Sequence, residues 1–102
     1  MENNFMKKKP SKLKIELAII TPSYNNGFLL ERLYKSILSQ TYKNLTWIIV
    51  DDGSIDNTKK IVDSFSNINL LYLKQENSGA NAARNRGERE IPKSCKYIIY
   101  NR

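Results

Sequence analysis

The 102-residue chain has no histidine and a single cysteine, Cys95. One cysteine cannot build an internal disulfide framework, and such usage fits a reducing compartment. A zinc centre draws on several Cys or His side chains, so that class is excluded as well. No apolar run approaches the ~18 residues that a membrane-spanning helix needs. The Walker phosphate-binding pattern and the G-x-G-x-x-G dinucleotide fingerprint are both missing. Internal repeats and low-complexity segments are absent too. No signal peptide is expected, because the lysine-rich first fourteen residues lead into Ile15–Thr21, which contains Glu16.

What the chain does carry is positive charge. The net value is +7, of which residues 1–14 contribute +4 through Lys7, Lys8, Lys9, Lys12 and Lys14 against Glu2. Residues 1–14 read as a basic, solvated and disordered leader, and residues 15–102 as the foldable domain. After the leader, roughly 85 residues remain for a core, which is small for a self-sufficient domain. A lysine run suits anionic lipid or nucleic acid. No aromatic interleaving or helical face accompanies these lysines, so no nucleic-acid partner is expected.

The rest of the chain alternates between two periodicities. Ile15–Thr21 is β-branched and apolar and stops at Pro22. Gly27–Gln40 places Leu29, Leu30, Leu33, Tyr34 and Ile37 on one side of a 3.6-residue turn. Leu45–Val50 reads as a buried strand, Asn57–Ser66 as a second helix, Asn69–Lys74 as a third strand. Gly79–Glu90 reads as a third helix and Tyr97–Tyr100 as a fourth strand. The order β-α-β-α-β-α-β implies an α/β domain with a mainly parallel sheet and right-handed crossovers. Strand order 3-2-1-4 is expected, with a ligand crevice at the carboxyl ends between strands one and four, where the chain doubles back.

Asp51-Asp52-Gly53-Ser54 is the most informative stretch. It places two carboxylates where the second strand gives way to a turn. Gly53 tolerates positive φ, and Ser54 or Asp56 can cap the following helix. The loop after strand one holds Pro22, Tyr24 and Asn25. The loop after strand three runs from Gln75 to Gly79 and leads to Arg84. An aromatic face, two carboxylates, amides and an arginine suit a nucleotide: a ring to stack on a base, a carboxylate for base or ribose donors, a guanidinium for phosphate.

On these residues the chain resembles the amino-terminal part of a family 2 glycosyltransferase with the Rossmann-like GT-A fold. The matching pieces are Ala18–Asn25 (AIITPSYN), Leu38–Tyr42 (LSQTY), Ile48–Ser54 (IIVDDGS), Asp56-Asn57-Thr58, Glu76–Gly79 and Ala83–Gly87. Such enzymes take a nucleotide-diphosphate sugar, usually UDP-linked, and pass the sugar to a glycan or lipid-linked acceptor, typically with inversion. The resemblance implies that Tyr24 borders the base and that Asp51 pairs with uracil. It implies that Asp52 lies near the ribose or supports the loop, and that Gly79, Arg84 and Asn85 pass close to the nucleotide. Pro22, Asn25 and Gly53 complete the expected nucleotide-binding set. A cytoplasmic, polysaccharide-building enzyme follows, and the basic leader leaves room for peripheral contact with a membrane.

The family also places a D-x-D motif after its fourth strand, and one of those carboxylates holds a divalent metal (Mg or Mn) on the donor phosphates. Here Asn101-Arg102 stand in that place. Set against that family pattern, the expectation is a domain truncated after strand four, whether as a natural truncation, a frameshift or an excised piece, with no catalytic residue and no metal held by this chain. Three readings stay open: the donor half of a glycosyltransferase, an inactive nucleotide-binding module, and a basic α/β domain for nucleic acid or membrane.

Overall fold

The computed structural model describes residues 16–41 and 44–101, so the leader expected at residues 1–14 lies outside the described residues. Seven elements follow in the expected order: β1 (Leu17–Ser23), α1 (Gly27–Leu38), β2 (Leu45–Asp51), α2 (Thr58–Asp63), β3 (Asn69–Lys74), α3 (Ala80–Arg89) and β4 (Tyr97–Tyr100). The strands form one parallel sheet in the order β3-β2-β1-β4. This is the Rossmann-like arrangement the alternation predicts.

Most boundaries shift by one or two residues from the sequence reading, β2 reaching Asp51 and α1 ending at Leu38 among them, and two differences have an identifiable cause. β1 continues through Pro22 to Ser23, pairing with Val50 and Asp51. Proline is tolerated there because of strand parity. Asn101 N donates to Ile20 O, so even-numbered backbone groups of β1 face β4. β4 ends at Tyr100, opposite Ile20, and the N–H that Pro22 lacks falls beyond it. The helix expected over Asn57–Ser66 is only Thr58–Asp63. Its end tightens into i→i−3 bonds, from Ser64 N to Ile61 O and from Phe65 N to Val62 O. Asn67 then takes φ 64 and turns the chain towards β3.

β2 is buried at every position, as a central strand covered on both faces must be. On one face α3 covers Ala18, Ile20, Ile48, Val50 and Leu71, with Ala83 packed among them. Gly87 allows the close approach, since a Cβ there would stand 2.9 Å from Ile20 Cγ2. On the other face α1 and α2 enclose Leu30, Trp47, Ile49, Val62, Phe65, Ile68 and Leu70. Tyr34 stacks on Phe65 with ring centroids 4.1 Å apart. The buried Trp47 Nε1 donates to Thr21 Oγ1 at 2.9 Å, so the indole enters the core with its polar group satisfied.

Among the described residues β4 is an edge strand, as the expected order 3-2-1-4 requires. All four of its side chains are exposed, including Ile98 and Ile99. Apolar surface on this strand is therefore poorly buried.

Candidate functional site

Three loops meet at the carboxyl end of the sheet, after β1, β2 and β3. The first two are fastened together by Asn25, which sits at φ 51. Asparagine tolerates this left-handed backbone better than most residues. Its amide donates to Ser54 Oγ at 2.8 Å, and its Oδ1 accepts from Ile55 N at 2.8 Å. Asp56 ties the two helix starts. Its carboxylate accepts from the Thr58 hydroxyl, the Thr58 amide and the Gly27 amide. The Thr58 hydroxyl is the main reason its pKa lies below the ordinary carboxylate value.

The adjacent aspartates face different surroundings. Asp51 is the last residue of β2 and is fully buried. Its Oδ1 accepts from Ser54 N at 2.8 Å and its Oδ2 from the Tyr72 hydroxyl. Burial, reinforced by this contact with Asp51, pushes the Tyr72 phenol well above its ordinary pKa. The expectation that Asp51 meets a base does not fit this placement. The cause is register. Asp51 still pairs with Ser23 and Lys74 as a strand residue, so its side chain follows Trp47 and Ile49 into the α1–α2 layer.

Asp52 begins the turn. It is 5% exposed, and its carboxylate gathers the loop after β3. Oδ1 accepts from Gln75 Nε2 at 2.9 Å and from Ser78 N at 2.8 Å. Oδ2 accepts from Gly79 N at 2.9 Å and from Asn77 Nδ2 at 3.4 Å. Asn77 Nδ2 also donates to Asp52 O at 3.1 Å. Burial works against the charged form of Asp52, but the bonds from Gln75, Ser78 and Gly79 outweigh it and hold its pKa below 3.8. A carboxylate whose folded pKa is depressed adds stability that is present above the unfolded value and lost as pH falls through the folded one. Acidification below pH 3.8 should therefore lower the melting temperature of the native chain more than that of Asp52→Asn. Equal losses in a pH series of thermal melts would contradict this.

Two glycines frame the carboxylate. Gly53 has φ 91, and a Cβ there would lie 2.9 Å from Asn77 N, so the second and third loops touch at this point. Gly79 has φ 99, with open space where its side chain would be. Tyr24 stands half-exposed at the rim, and Pro22 is half-buried in β1. A hollow of about 500 Å³ lies between Gly53, Ser54, Ile55 and the segment from Lys74 to Asn77.

Pro22, Tyr24, Asn25, Asp51, Asp52, Gly53 and Gly79 thus gather at one end of the sheet. Arg84 lies apart. It sits five residues beyond Gly79, about 7 Å along the helix axis, and its Nη1 donates to Asn81 Oδ1 at 2.7 Å. With Asn81, Asn85, Glu88 and Tyr100 it lines a separate cavity of about 620 Å³ between α3 and β4. Of the partners of Asp52 the sequence singles out Gly79 alone, while Gln75, Asn77 and Ser78 are legible only as members of its loop. Nothing local links Asp52 to Gln75 or Asn77; only the adjacency of β2 and β3 does. Tyr72 was missed as well, and its inward position in the alternation of β3 is the signal for it.

Among the described residues no group of three or more His, Cys, Asp or Glu side chains could hold a metal ion. A hard divalent cation wants about six oxygen ligands, and the oxygens of Asp51 and Asp52 already accept protein donors. The described residues do not fit an Mg or Mn centre. No described helix is long and apolar enough to cross a membrane.

Residues 18–100 match the model of the family described as "Glycosyl transferase family 2". Glycosyltransferase GlyA of Streptococcus pneumoniae is 42% identical over 87 residues, covering 83% of this chain and 12% of that protein. The minor teichoic acid biosynthesis protein GgaA of Bacillus subtilis is 38% identical over 87 residues, covering 79% of this chain and 20% of that protein. The chain thus spans a small part of the length of these relatives. Among solved structures, the mannosyltransferase PcManGT from Pyrobaculum calidifontis, in complex with GDP-Man and Mn2+, has a TM-score of 0.67. It is 23% identical, and the match covers 84% of this chain and 27% of that one. At that identity the likeness concerns the fold, which is the expected GT-A arrangement.

Proposed function

The chain belongs to glycosyl transferase family 2, and on that premise we propose that it supplies the donor-nucleotide half of a glycosyltransferase. The donor is a nucleotide-diphosphate sugar, UDP-linked on this reading. The acceptor is a growing glycan or a lipid-linked saccharide on the cytoplasmic side of a membrane, in polysaccharide synthesis. The observation that carries the reading is the ionised carboxylate of Asp52, recessed among N–H donors at the carboxyl end of a parallel sheet.

Each residue has a task in this reading. Tyr24 offers a ring face at the rim for the base to stack on. Asp52 accepts an N–H of the base, because an ionised carboxylate can only accept. Asp51 holds the turn from beneath through Ser54 N and the Tyr72 hydroxyl. Asn25 locks the first loop to the second, and Pro22, which lacks an N–H on the side facing β4, carries β1 to Ser23 just before the loop. Gly53 and Gly79 keep the backbone free of side chains where the loops converge. Arg84, further along α3, meets the diphosphate. A divalent metal, when bound in a family member, neutralises phosphate charge as the nucleotide leaves. The described residues of this chain supply no seat for it.

Calorimetric titration with UDP and with ADP tests the reading. UDP should bind more tightly, because the adenine ring nitrogen at the corresponding edge carries no hydrogen to give the carboxylate. Tyr24→Ala should weaken UDP binding by about fivefold or more. Equal affinity for the two nucleotides, untouched by Tyr24→Ala, would overturn it.

A further inference from the structure

Resting on that reading, one feature of the Asp52 environment points to a residue that competes with the ligand. A carboxylate has about four lone-pair positions, and all four of Asp52 are taken. Three of the bonds measure 2.8–2.9 Å: Gln75 Nε2, Ser78 N and Gly79 N. The fourth, from Asn77 Nδ2 to Oδ2, is stretched to 3.4 Å, beyond the usual range for N–H···O bonds. The other aspartate offers no alternative, because Asp51 has no exposed surface.

We propose that the side-chain amide of Asn77 occupies, in the ligand-free protein, the position on Asp52 Oδ2 that the N–H of the donor's base takes on binding. Asn77 is then a positioning residue that acts through Asp52. Its amide is a placeholder that keeps the buried acceptor from being left unpaired. Three features suit it to exchange. Its bond to Oδ2 is the longest of the four. Its Nδ2 holds a second acceptor, Asp52 O at 3.1 Å, and keeps a partner after yielding the first. Asn77 is itself exposed, so its side chain can swing towards solvent. The Ser78 and Gly79 amides cannot yield as easily, because they are backbone groups at the start of α3. They remain as the fixed half of the seat.

The consequence is a sign opposite to that of a ligand-contacting residue. Removing the Asn77 amide frees Oδ2 and should tighten the binding of any base that presents an N–H there. The test is calorimetry of the whole chain and its Asn77→Ala variant with two probes, UDP and the diphosphate of N3-methyluridine, which has no N–H to give. Amide hydrogen exchange at Ser78 and Gly79 shows whether the loop stays seated in the variant, and Asn77→Ser provides a second variant that retains a small polar side chain. The expected result is UDP binding about three- to tenfold tighter in both variants, the range of one net hydrogen bond. The methylated probe should be unchanged, and Ser78 and Gly79 should stay protected. Weaker UDP binding in both variants, or equal tightening for both probes, would overturn the placeholder role while leaving the nucleotide site standing. Absence of any UDP binding by the native chain would overturn both.

Discussion

Replacing Asp52 by asparagine should weaken UDP binding by about ten- to a hundredfold while the chain still folds. Asparagine is nearly isosteric and can still accept at one position, so Gln75 Nε2 and Ser78 N keep a partner. Its other terminal group becomes an NH2, which then faces Gly79 N and the incoming base N–H donor to donor. Hydrogen bonds to charged groups contribute about 1.5–3 kcal/mol, which sets the size of the loss. Some stability is lost as well, because Gly79 N is left without its acceptor. Calorimetry combined with a thermal melt separates the two effects. Native-like UDP affinity in a folded Asp52→Asn variant would remove Asp52 from the base site.

Replacing Asp51 by alanine should act on the fold instead. The change removes the only hydrogen-bond acceptor found for Ser54 N and for the Tyr72 hydroxyl among the described contacts, at a buried position. Stranding two such donors costs roughly 2–5 kcal/mol. A domain of this size has only about 5–15 kcal/mol in total. At roughly 4–8 °C of melting temperature per kcal/mol for a small domain, the variant should melt at least about 10 °C below the native chain or fail to fold. Tyr72→Phe should fall between the two, since Asp51 then keeps Ser54 N alone. An Asp51→Ala chain with native stability and no UDP binding would mean that Asp51 reads the base after all.

The contrast between these neighbours marks the limit of what the sequence discloses. Periodicity suffices for the seven elements and their order, because each change from a 2-residue to a 3.6-residue pattern is local. Parallel pairing and the order β3-β2-β1-β4 follow from connection rules. Which of two adjacent carboxylates points outward depends on where the β2 ladder stops. That is settled by pairing with Ser23 on one side and Lys74 on the other, residues 28 and 23 positions away. The same holds for β1, whose passage through Pro22 depends on how far β4 reaches. The separation of Arg84 from the carboxylate cluster was hidden for a related reason. Its place on α3 was legible, whereas the cavity it lines needs β4 to supply Tyr100. The partners of Asp52 are spread from Gln75 to Gly79 and become neighbours only once β2 and β3 lie side by side.

The most direct measurement is the map of backbone amide resonances of the 15N-labelled chain during titration with UDP. A nucleotide seated at the carboxyl end of the sheet should shift Tyr24, Asn25, Asp52, Gly53 and Ser54, together with Asn77, Ser78 and Gly79. Asp51 and Tyr72, beneath the turn, should move less. Shifts confined to Asn81, Arg84, Asn85, Glu88 and Tyr100 in the cavity between α3 and β4, or no shifts at all, would contradict a nucleotide seat built on Asp52.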